Sequence, residues 1–404
     1  MRKKIRRTAV LGLSAITALA LAGQAGIGHV AWAAAISGPL QAWGDGLSGQ
    51  LGNGGHATSD KPVLVHLPAS VTITDVAVGG THTVALGSTG QVYAWGNNYH
   101  GELGGAHQSN TPVPVDLPKG TVVTQVAAGD GTSMAVTAGG QVYSWGDNQY
   151  GQLGDGSNLQ RKTPVAVALP KQTKVVAVGT SYNYSIALTA GGHVFTWGYN
   201  GSGQLGNGFA TASEIPIRVK IPVGVKITAI ANGGYDALAL TSTGTILAWG
   251  SGSWGQLGDG SRNNSDVPVT VKLPRGVKIV AISAGSQHSL ALTATGEVLA
   301  WGRNSYGQVG DGNLTSTDRP ARVKIPAADH VTAISAGGGF SLALTSSGQE
   351  LAWGHNTTGQ LGDGALVNSD VPVRVLIPAG WLVVKLSTGP TTRHSMAIVQ
   401  PATP

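Results

Sequence analysis

The dipeptide Trp-Gly occurs seven times in this chain at an almost constant spacing. Successive copies lie 52 residues apart, except for one interval of 50 residues. Such a period is typical of solenoids, propellers and other repeat arrays, in which each unit buries its apolar face by stacking on its neighbours. The copies begin at Trp43, Trp95, Trp145, Trp197, Trp249, Trp301 and Trp353. The chain is therefore one unit repeated along almost its whole length.

Each unit predicts four β-strands. In the unit that begins at Trp249, apolar runs at 267–273, 277–283, 288–293 and 297–301 are separated by residues that favour turns. The last two runs are joined by the tight hairpin Ala294-Thr295-Gly296. Four antiparallel strands in each of seven units predict an all-β fold, a seven-bladed β-propeller.

The two ends of the repeat region complement each other. Leu40–Trp43 matches the fourth strand of a unit but follows no third strand, whereas His394–Val399 matches a third strand with no fourth strand after it. Pairing of these N- and C-terminal strands would close the ring and remove two free sheet edges. We expect the propeller to span 36–399, with a short flexible tail at 400–404.

The first 35 residues predict a secretory signal peptide. Met1–Arg7 carries five basic side chains and no acid, residues 8–27 are mostly apolar, and small residues follow as candidate cleavage sites. An uncleaved membrane anchor is the alternative, because an apolar run of about twenty residues is long enough to span a bilayer. Three glycines inside the run favour a cleaved leader. We expect a secreted protein, extracellular, periplasmic or associated with the cell surface, with no membrane span after cleavage.

The net charge of the expected mature chain is close to zero. Five of the 25 Lys and Arg residues lie in the leader, which leaves 20 against 19 Asp and Glu residues. Nucleic-acid binding requires a basic surplus or stripe, so no nucleic-acid partner is expected. The chain has no cysteine, which excludes disulfides and a lipid-modified cysteine anchor.

No motif predicts catalysis, a cofactor or a metal. Gly-x-Gly-x-x-Gly occurs at Gly44, Gly201 and Gly250, but each match lies in a blade loop and opens no helix that could hold a pyrophosphate. The repeated Gly-Asp-Gly motif predicts a turn, and the alternative of a calcium site lacks the alternating acids that such a site requires. We therefore expect a protein that is not an enzyme.

The repeat resembles that of the regulator of chromosome condensation family. The motifs that carry the resemblance are Trp-Gly-x-Asn-x-x-Gly-Gln-Leu-Gly-Asp-Gly, then Gly-x-x-His-Ser-x-Ala-Leu and Gly-x-Val-x-Ala-Trp-Gly, and they extend from Leu40 to Val399. Propellers of this family include an exchange factor for the small GTPase Ran, a plant ultraviolet-B photoreceptor, a secreted β-lactamase inhibitor and many protein-binding modules. The resemblance implies a propeller scaffold that binds another protein.

Two differences from known members of the family restrict the functions that the resemblance implies. The export leader and the uniform repeats differ from the nuclear exchange factor with its inserted wedge. The photoreceptor carries its chromophore tryptophans two residues before the family histidine, where this chain has Gly80, Asp130, Tyr182, Gly234, Ser286, Gly338 and Thr392. Extracellular binding of an unidentified protein is the favoured interpretation, with inhibition of a secreted or periplasmic hydrolase, carbohydrate binding, or a purely structural module as alternatives.

Strand directions place two loops of every unit at the same end of the blade, the Gly-x-x-His loop and the long loop after Trp-Gly. Binding residues concentrate on loops that a rigid scaffold holds, so we expect the partner on this face. The family histidine position holds His82, Thr132, Tyr184, Asp236, His288, Phe340 and His394. Three histidines there raise the alternative of a metal site, although structural histidines are favoured.

Bulky or charged residues that break the repeat in these loops are the candidates for partner contact. They are Tyr182, Tyr184, Tyr235, Asp236, Gln287, His288, Phe340, Arg393 and His394. The alternative is that these side chains fill local space. A second set, His100, Tyr150, Trp254 and Tyr306, precedes the glycine of Gly-Gln-Leu-Gly or its variants. This set could stack on a sugar or a protein, but local packing is the favoured interpretation.

Overall fold

A computed structural model describes residues 25–26, 29–30, 38–105 and 107–402. The predicted leader, 1–35, lies outside the described residues except for two short strands, β1 (Ala25–Gly26) and β2 (His29–Val30), which pair with each other. The leader therefore stays a prediction. No helix in the described part of the chain is long and apolar enough for a membrane span.

Seven four-stranded antiparallel sheets make up the rest of the described chain, which confirms the predicted all-β, seven-bladed propeller. Within each sheet, the strand at the central channel comes first below. Blade 1 contains β5 (Ile73–Val78), β6 (His82–Gly87), β7 (Val92–Gly96) and β8 (Ser109–Pro114). Blade 2 contains β9 (Val123–Ala128), β10 (Thr132–Thr137), β11 (Val142–Gly146) and β12 (Arg161–Ala166). Blade 3 contains β13 (Val175–Thr180), β14 (Tyr184–Thr189), β15 (Val194–Gly198) and β16 (Ser213–Arg218).

The remaining four blades continue the same order. Blade 4 contains β17 (Ile227–Asn232), β18 (Asp236–Thr241), β19 (Ile246–Gly250) and β20 (Ser265–Thr270). Blade 5 contains β21 (Ile279–Ala284), β22 (His288–Thr293), β23 (Val298–Gly302) and β24 (Thr317–Arg322). Blade 6 contains β25 (Val331–Ala336), β26 (Phe340–Thr345), β27 (Glu350–Gly354) and β28 (Ser369–Arg374). Blade 7 contains β29 (Trp381–Ser387), β30 (His394–Pro401), β3 (Leu40–Gly44) and β4 (Ser59–Leu64).

The sequence unit and the blade are out of phase. The four strands predicted between residues 249 and 301 all exist, but the first of them is β20, the outer strand of blade 4, and the other three begin blade 5. The loop after Trp-Gly therefore joins the third and fourth strands of one blade. The third strand of the prediction, 288–293, coincides with β22, and the boundaries of the others shift by one to three residues.

Pairing of the chain ends closes the ring, as the sequence predicts. In blade 7, β3 pairs antiparallel with β30, with Gly44 opposite His394. The inner strands β29 and β5 also contact each other, and Lys385 Nζ on β29 lies 2.6 Å from Asp75 Oδ1 on β5. One boundary was wrong: β30 continues to Pro401, opposite Trp381, so the strand extends into the predicted tail 400–404. The added residues are ordered because they extend the ladder with β29.

The seven Trp-Gly tryptophans form the contacts between blades. Each indole is completely buried. Each indole N–H also donates a hydrogen bond to a backbone carbonyl in the preceding blade, as Trp301 does to Gln256 at 2.8 Å. The other six pairs, at 2.7–3.0 Å, are Trp43–Gln360, Trp95–Gln50, Trp145–Glu102, Trp197–Gln152, Trp249–Gln204 and Trp353–Gln308. The tryptophans thus serve packing, the interpretation favoured for a buried apolar repeat.

The apolar core is divided among the blade interfaces. It consists of seven clusters, and each contains one of the seven tryptophans. A glycine of the preceding blade makes room for the indole: a Cβ on Gly258, which has φ +67°, would lie 2.7 Å from Trp301 Nε1. Because no blade has a core of its own, the units depend on their neighbours.

The two faces of the ring differ in their loops. We define the loop-rich face as the face formed by the loops between first and second strands, such as 79–81, and between third and fourth strands, such as 97–108. The opposite face has the hairpins between second and third strands, such as 88–91, and the connections between blades, such as 115–122. The opposite face therefore carries more than tight turns, because passage from an outer strand to the next inner strand requires a longer connection.

Candidate functional site

The loop-rich face holds two variable side-chain positions side by side in every blade. The residue after Trp-Gly donates its backbone N–H to the carbonyl of the residue before the family histidine, as Arg303 does to Gln287 at 2.8 Å. The other six donor–acceptor pairs are Asp45–Arg393, Asn97–Thr81, Asp147–Gly131, Tyr199–Asn183, Ser251–Tyr235 and His355–Gly339. Since the bond uses only main-chain atoms, side chains at both positions can change without loss of the scaffold.

The family histidine position itself is not part of the surface. Five predicted partner-binding residues at this position are completely buried, which corrects their assignment: Tyr184, Asp236, His288, Phe340 and His394. All seven side chains at this position are buried instead of exposed to solvent. His288 Nε2 lies 2.9 Å from Ser341 Oγ of blade 6, and His394 Nε2 lies 3.0 Å from Thr83 Oγ1 of blade 1. These two side chains thus fill space between blades. This agrees with the alternative that the candidate residues fill local space instead of meeting a partner.

At the family histidine position, blade 3 carries the buried Tyr184 and blade 4 the buried Asp236. The Tyr184 hydroxyl donates to the backbone carbonyl of Asp236 in the next blade. The Asp236 carboxyl has no hydrogen-bond partner among the described residues, and burial raises its pKa well above the usual value. Neither side chain reaches the face where a partner would bind.

Replacement of His288 by phenylalanine is expected to reduce the acid sensitivity of the fold. Burial lowers the pKa of His288 to about 3, against 6.5 for a free histidine. Below pH 6.5 the unfolded chain binds a proton that the folded chain rejects, so this histidine lowers the free energy of unfolding as the pH falls toward 3. Phe340 occupies the equivalent position of blade 6, so phenylalanine fits the site. Denaturant midpoints between pH 7 and pH 4 measure the slope.

The reverse substitution, Phe340→His, provides the control because it adds one more buried histidine to the same ring. It should make the loss of stability toward acid steeper. Equal slopes for the wild type, His288→Phe and Phe340→His would contradict the buried, neutral state of these residues.

Four of the predicted contact residues do reach the loop-rich face. Tyr182, Tyr235 and Gln287 are partly exposed, and Arg393 is exposed. The rings of Tyr182 and Tyr235 stack at a centroid distance of 5.1 Å. Gln287 Oε1 accepts a hydrogen bond from Arg303 Nη1 at 2.7 Å. The structure places these four residues at the surface where the sequence predicts the partner, and their contact with a partner stays a prediction.

The stacked pair belongs to a cluster of four tyrosines that crosses three blades. Tyr199 meets Tyr235 edge-on at 6.0 Å and Tyr150 at 5.1 Å. The Tyr182 hydroxyl lies 3.2 Å from Ser286 Oγ of blade 5. Burial, followed by the neighbouring tyrosines, raises the pKa of Tyr235, so its hydroxyl stays protonated at neutral pH. The cluster is a rigid aromatic surface of the kind enriched in protein interfaces.

Arg303 lies between two aromatic rings on the neighbouring part of the face. Its guanidinium carbon is 4.9 Å from the Trp254 ring centroid and 5.3 Å from that of Tyr306. Tyr306 in turn packs against His355, with 4.5 Å between ring centroids. Burial and the charge of Arg393 lower the pKa of His355, which keeps this ring neutral near pH 7.

A central depression of about 440 Å³ lies on the loop-rich face at the mouth of the channel. Residues from all the blades except blade 4 line it, and they carry charges of both signs. Arg303 and Arg393 supply the positive charges, and Asp45 and Asp130 supply negative ones. Of the contact candidates, Tyr182, Gln287 and Arg393 line it, and the other six do not.

Sequence reasoning missed Tyr199, Arg303 and His355, although the sequence contained a signal for them. All three occupy the position after Trp-Gly, which holds Asp45, Asn97, Asp147, Tyr199, Ser251, Arg303 and His355. This position varies between constant neighbours, as the residue before the family histidine does. Three of the aromatics before the glycine pack on other side chains of the protein, the favoured interpretation, although two do so across blades. Tyr150 packs on Tyr199 and Trp254 on Arg303 of the next blade, and Tyr306 packs on Arg303 of its own blade.

The Gly-Asp-Gly loops have the turn geometry that the sequence predicts. Asp155 Oδ1 accepts a hydrogen bond from the Ser157 N–H at 3.1 Å, and Asp155 Oδ2 lies 2.8 Å from Arg161 Nη2. The carboxylate is therefore already engaged by the protein. Within the described residues no group of three or more metal-ligating side chains is found.

Comparisons with known proteins agree with this architecture. The ultraviolet-B receptor UVR8 of Arabidopsis thaliana is 34% identical over 359 residues, which cover 89% of this chain and 70% of the receptor. The human E3 ubiquitin-protein ligase HERC2 is 34% identical over 394 residues, or 96% of this chain, but the chain spans only 7% of that ligase. The structure of Prp20p from Saccharomyces cerevisiae superposes with a TM-score of 0.81 at 26% identity and covers 92% of this chain and 93% of Prp20p.

The family model for the RCC1-like domain matches residues 39–397, the interval that contains almost all of the propeller strands. The match agrees with the resemblance drawn from the repeat motifs. This chain therefore belongs to the RCC1-like domain family.

Proposed function

We propose that this chain is a secreted, non-catalytic propeller that binds another protein through its loop-rich face. The observation that carries the proposal is the pair of variable positions held by one main-chain hydrogen bond in every blade. A constant scaffold with changing side chains is how rigid folds build binding surfaces. The study of the Prp20p structure, which has the same fold, also describes binding to Gsp1p and histones.

The lining of the central depression favours binding over catalysis. Both ring nitrogens of His355 are engaged, Nδ1 by Gln360 at 2.7 Å and Nε2 by Thr357 at 2.9 Å. A general base needs a free nitrogen that faces a nucleophile or a substrate. Beside the carboxylates of Asp45 and Asp130, the lining carries aromatic, amide and guanidinium groups, which are typical of interfaces.

Export from the cell is part of the proposal and is supported by the basic and apolar leader at 1–35. Inhibition of a secreted or periplasmic hydrolase is a narrower form of the same function, because this chain would bind the hydrolase through the same loop-rich face. A panel of secreted hydrolases assayed with excess protein decides between general binding and inhibition.

A carbohydrate partner is less well supported by the geometry. Sugar rings stack on open aromatic faces, but one face of Trp254 is covered by the Arg303 guanidinium. Binding to a polysaccharide that is lost on Trp254→Ala would favour this second candidate.

Capture from culture medium with matched variants tests the proposed function. The immobilised protein is compared with Tyr182→Ala and Arg393→Ala on the loop-rich face. Arg275→Ala is the matched control, because Arg275 is an exposed arginine on the opposite face. We expect a captured protein that binds the wild type and the control, and binds the two face variants at least about tenfold more weakly, which is a hot-spot effect.

The outcomes separate the two faces. Equal capture by all four proteins, or loss only in Arg275→Ala, would refute the loop-rich face as the binding surface. Repeated recovery of no protein would favour the alternative of a purely structural module.

A further inference from the structure

We propose that Arg303 and Arg393 form a receptor for a carboxylate carried by the protein partner, so that an acidic side chain of the partner enters the central depression. The proposal rests on the proposed function and specifies which chemical group of the partner is bound. It is carried by the geometry of Arg303, by the unpaired state of both guanidinium groups and by the shape of the depression.

Arg303 is held in one orientation before any partner binds. Its guanidinium lies between the Trp254 and Tyr306 rings, Nη1 donates to Gln287 Oε1 at 2.7 Å, and Nε lies 3.1 Å from Ser305 Oγ. An arginine loses rotamer entropy when it binds a ligand, and a side chain that is already fixed avoids most of that cost. The Nη2 group has no hydrogen-bond partner in the described structure and remains as a donor.

Neither guanidinium forms an ion pair with a carboxylate of the described residues. The ion pairs found there involve His100, Arg161, Arg322, Arg374 and Lys385, but not Arg303 or Arg393. Both arginines line the same depression of about 440 Å³. Two unpaired guanidinium groups at one concave site attract an anion, and the planar fork of arginine matches a carboxylate.

Aromatic rings form part of the wall of the depression beside Arg303. Tyr306 contacts Arg303 on one side and His355 on the other, and both rings line the depression together with Arg393. Because the pKa of His355 is lowered, this imidazole does not compete for the anion at neutral pH. The partner side chain would thus lie against apolar ring surface with its acid between two cations.

The acids in the depression favour a carboxylate over a phosphate. Asp45 and Asp130 line the same space. Their charges repel an incoming anion in proportion to its charge, and a phosphate monoester carries about −1.5 to −2 at pH 7 against −1 for a carboxylate. We therefore infer that the ligand is a Glu or Asp side chain of the partner.

Nuclear magnetic resonance of the arginine side chains tests the site with defined probes. The secreted protein is titrated with N-acetylglutamate N′-methylamide, with the neutral glutamine analogue and with inorganic phosphate, while the Nε–H signals of Arg303 and Arg393 are followed. We expect the glutamate probe to shift both signals and the glutamine probe to shift neither. In Arg303→Lys, which keeps the charge but lacks the fork, the affinity should fall about tenfold.

Three results would overturn the proposal: no shift with the glutamate probe, tighter binding of phosphate than of the glutamate probe, or an equal effect of Arg303→Lys and the control Arg275→Lys. Gln287→Ala is a second variant, because it releases Arg303 Nη1 without a change of charge. It should weaken the binding of the glutamate probe while the protein stays folded.

The same variants distinguish this inference from the proposed function. A captured protein that is lost with Tyr182→Ala but binds Arg303→Lys normally would leave the proposed function intact and refute the carboxylate receptor. A glutamate probe that shifts Arg303 while no protein is captured would support the anion site and refute the proposed function.

Discussion

Trp301→Ala is expected to lower the free energy of unfolding by about 3–5 kcal/mol, the usual cost of removing a buried aromatic side chain. The Trp301 ring is fully buried in the cluster between blades 4 and 5. Its loss leaves a cavity against Gly258 and removes the indole donor of the 2.8 Å bond to the Gln256 carbonyl. Equilibrium denaturation in guanidinium chloride measures the difference.

Two further variants separate packing from hydrogen bonding. Trp301→Phe retains much of the ring but loses the N–H, and the Gln256 carbonyl keeps its bond from Ser289 Oγ at 3.0 Å, so a cost of about 1–2 kcal/mol is expected. Trp254→Ala is the matched control because Trp254 is only partly buried in a surface loop. A loss for Trp301→Ala no larger than that for Trp254→Ala would contradict the role of the tryptophan as the contact between blades.

Glu350→Val is expected to raise the free energy of unfolding by about 2 kcal/mol, because it removes a buried carboxyl group that has no hydrogen-bond partner among the described residues. Glu350 is completely buried at the start of β27. The equivalent positions of the other blades are apolar and buried, namely Leu40, Val92, Val142, Val194, Ile246 and Val298. Valine therefore has a precedent at this site in four other blades.

The gain from Glu350→Val should depend on pH. Burial raises the pKa of Glu350 well above the usual 4.5. Above pH 4.5 the unfolded chain releases a proton that the folded chain retains, so this group lowers stability as the pH rises toward its folded pKa. The advantage of Glu350→Val over the wild type should therefore increase from pH 4.5 toward neutrality, as denaturant midpoints across this range would show.

Glu350→Gln is the control for this result, because it keeps a buried polar group but cannot ionise. The free energy of unfolding of Glu350→Gln should lose the dependence on pH that Glu350 contributes. It should stay below that of Glu350→Val, because the buried amide also lacks a hydrogen-bond partner. An advantage of Glu350→Val that does not change with pH would show that Glu350 is ionised or solvated in the folded chain.

The strands and the ring were predictable because both depend on local and repeated signals. Alternating apolar runs, turn residues and the seven tryptophans recur in every unit, so one correct assignment holds for all seven. The half-hairpins at Leu40–Trp43 and His394–Val399 even predicted the closure of blade 7. The position of the last strand end was missed, because the ladder with β29 continues beyond the repeat pattern, with Gln400 opposite Leu382 and Pro401 opposite Trp381.

The candidate site was only partly predictable. Variation between repeats marked both Tyr182, which lies on the surface, and Phe340, which is completely buried. Variation alone does not distinguish a side chain that meets a partner from one that meets the next blade. The Arg303 site was missed because its two aromatic neighbours come from different loops, Trp254 from blade 4 and Tyr306 from blade 5.

The number of blades, the strand order and the face on which the loops lie follow from the amino-acid pattern, because a repeated pattern of apolar and turn residues allows few ways to bury its surface. The folded ring, in contrast, sets which loop residues are exposed and which ones contact each other. Those properties depend on which side chains of neighbouring blades come together, and neighbouring blades meet through the packing around the buried tryptophans rather than within any one unit. The sequence repeat thus determines the fold, whereas contacts between neighbouring repeats determine which residues form the candidate binding surface.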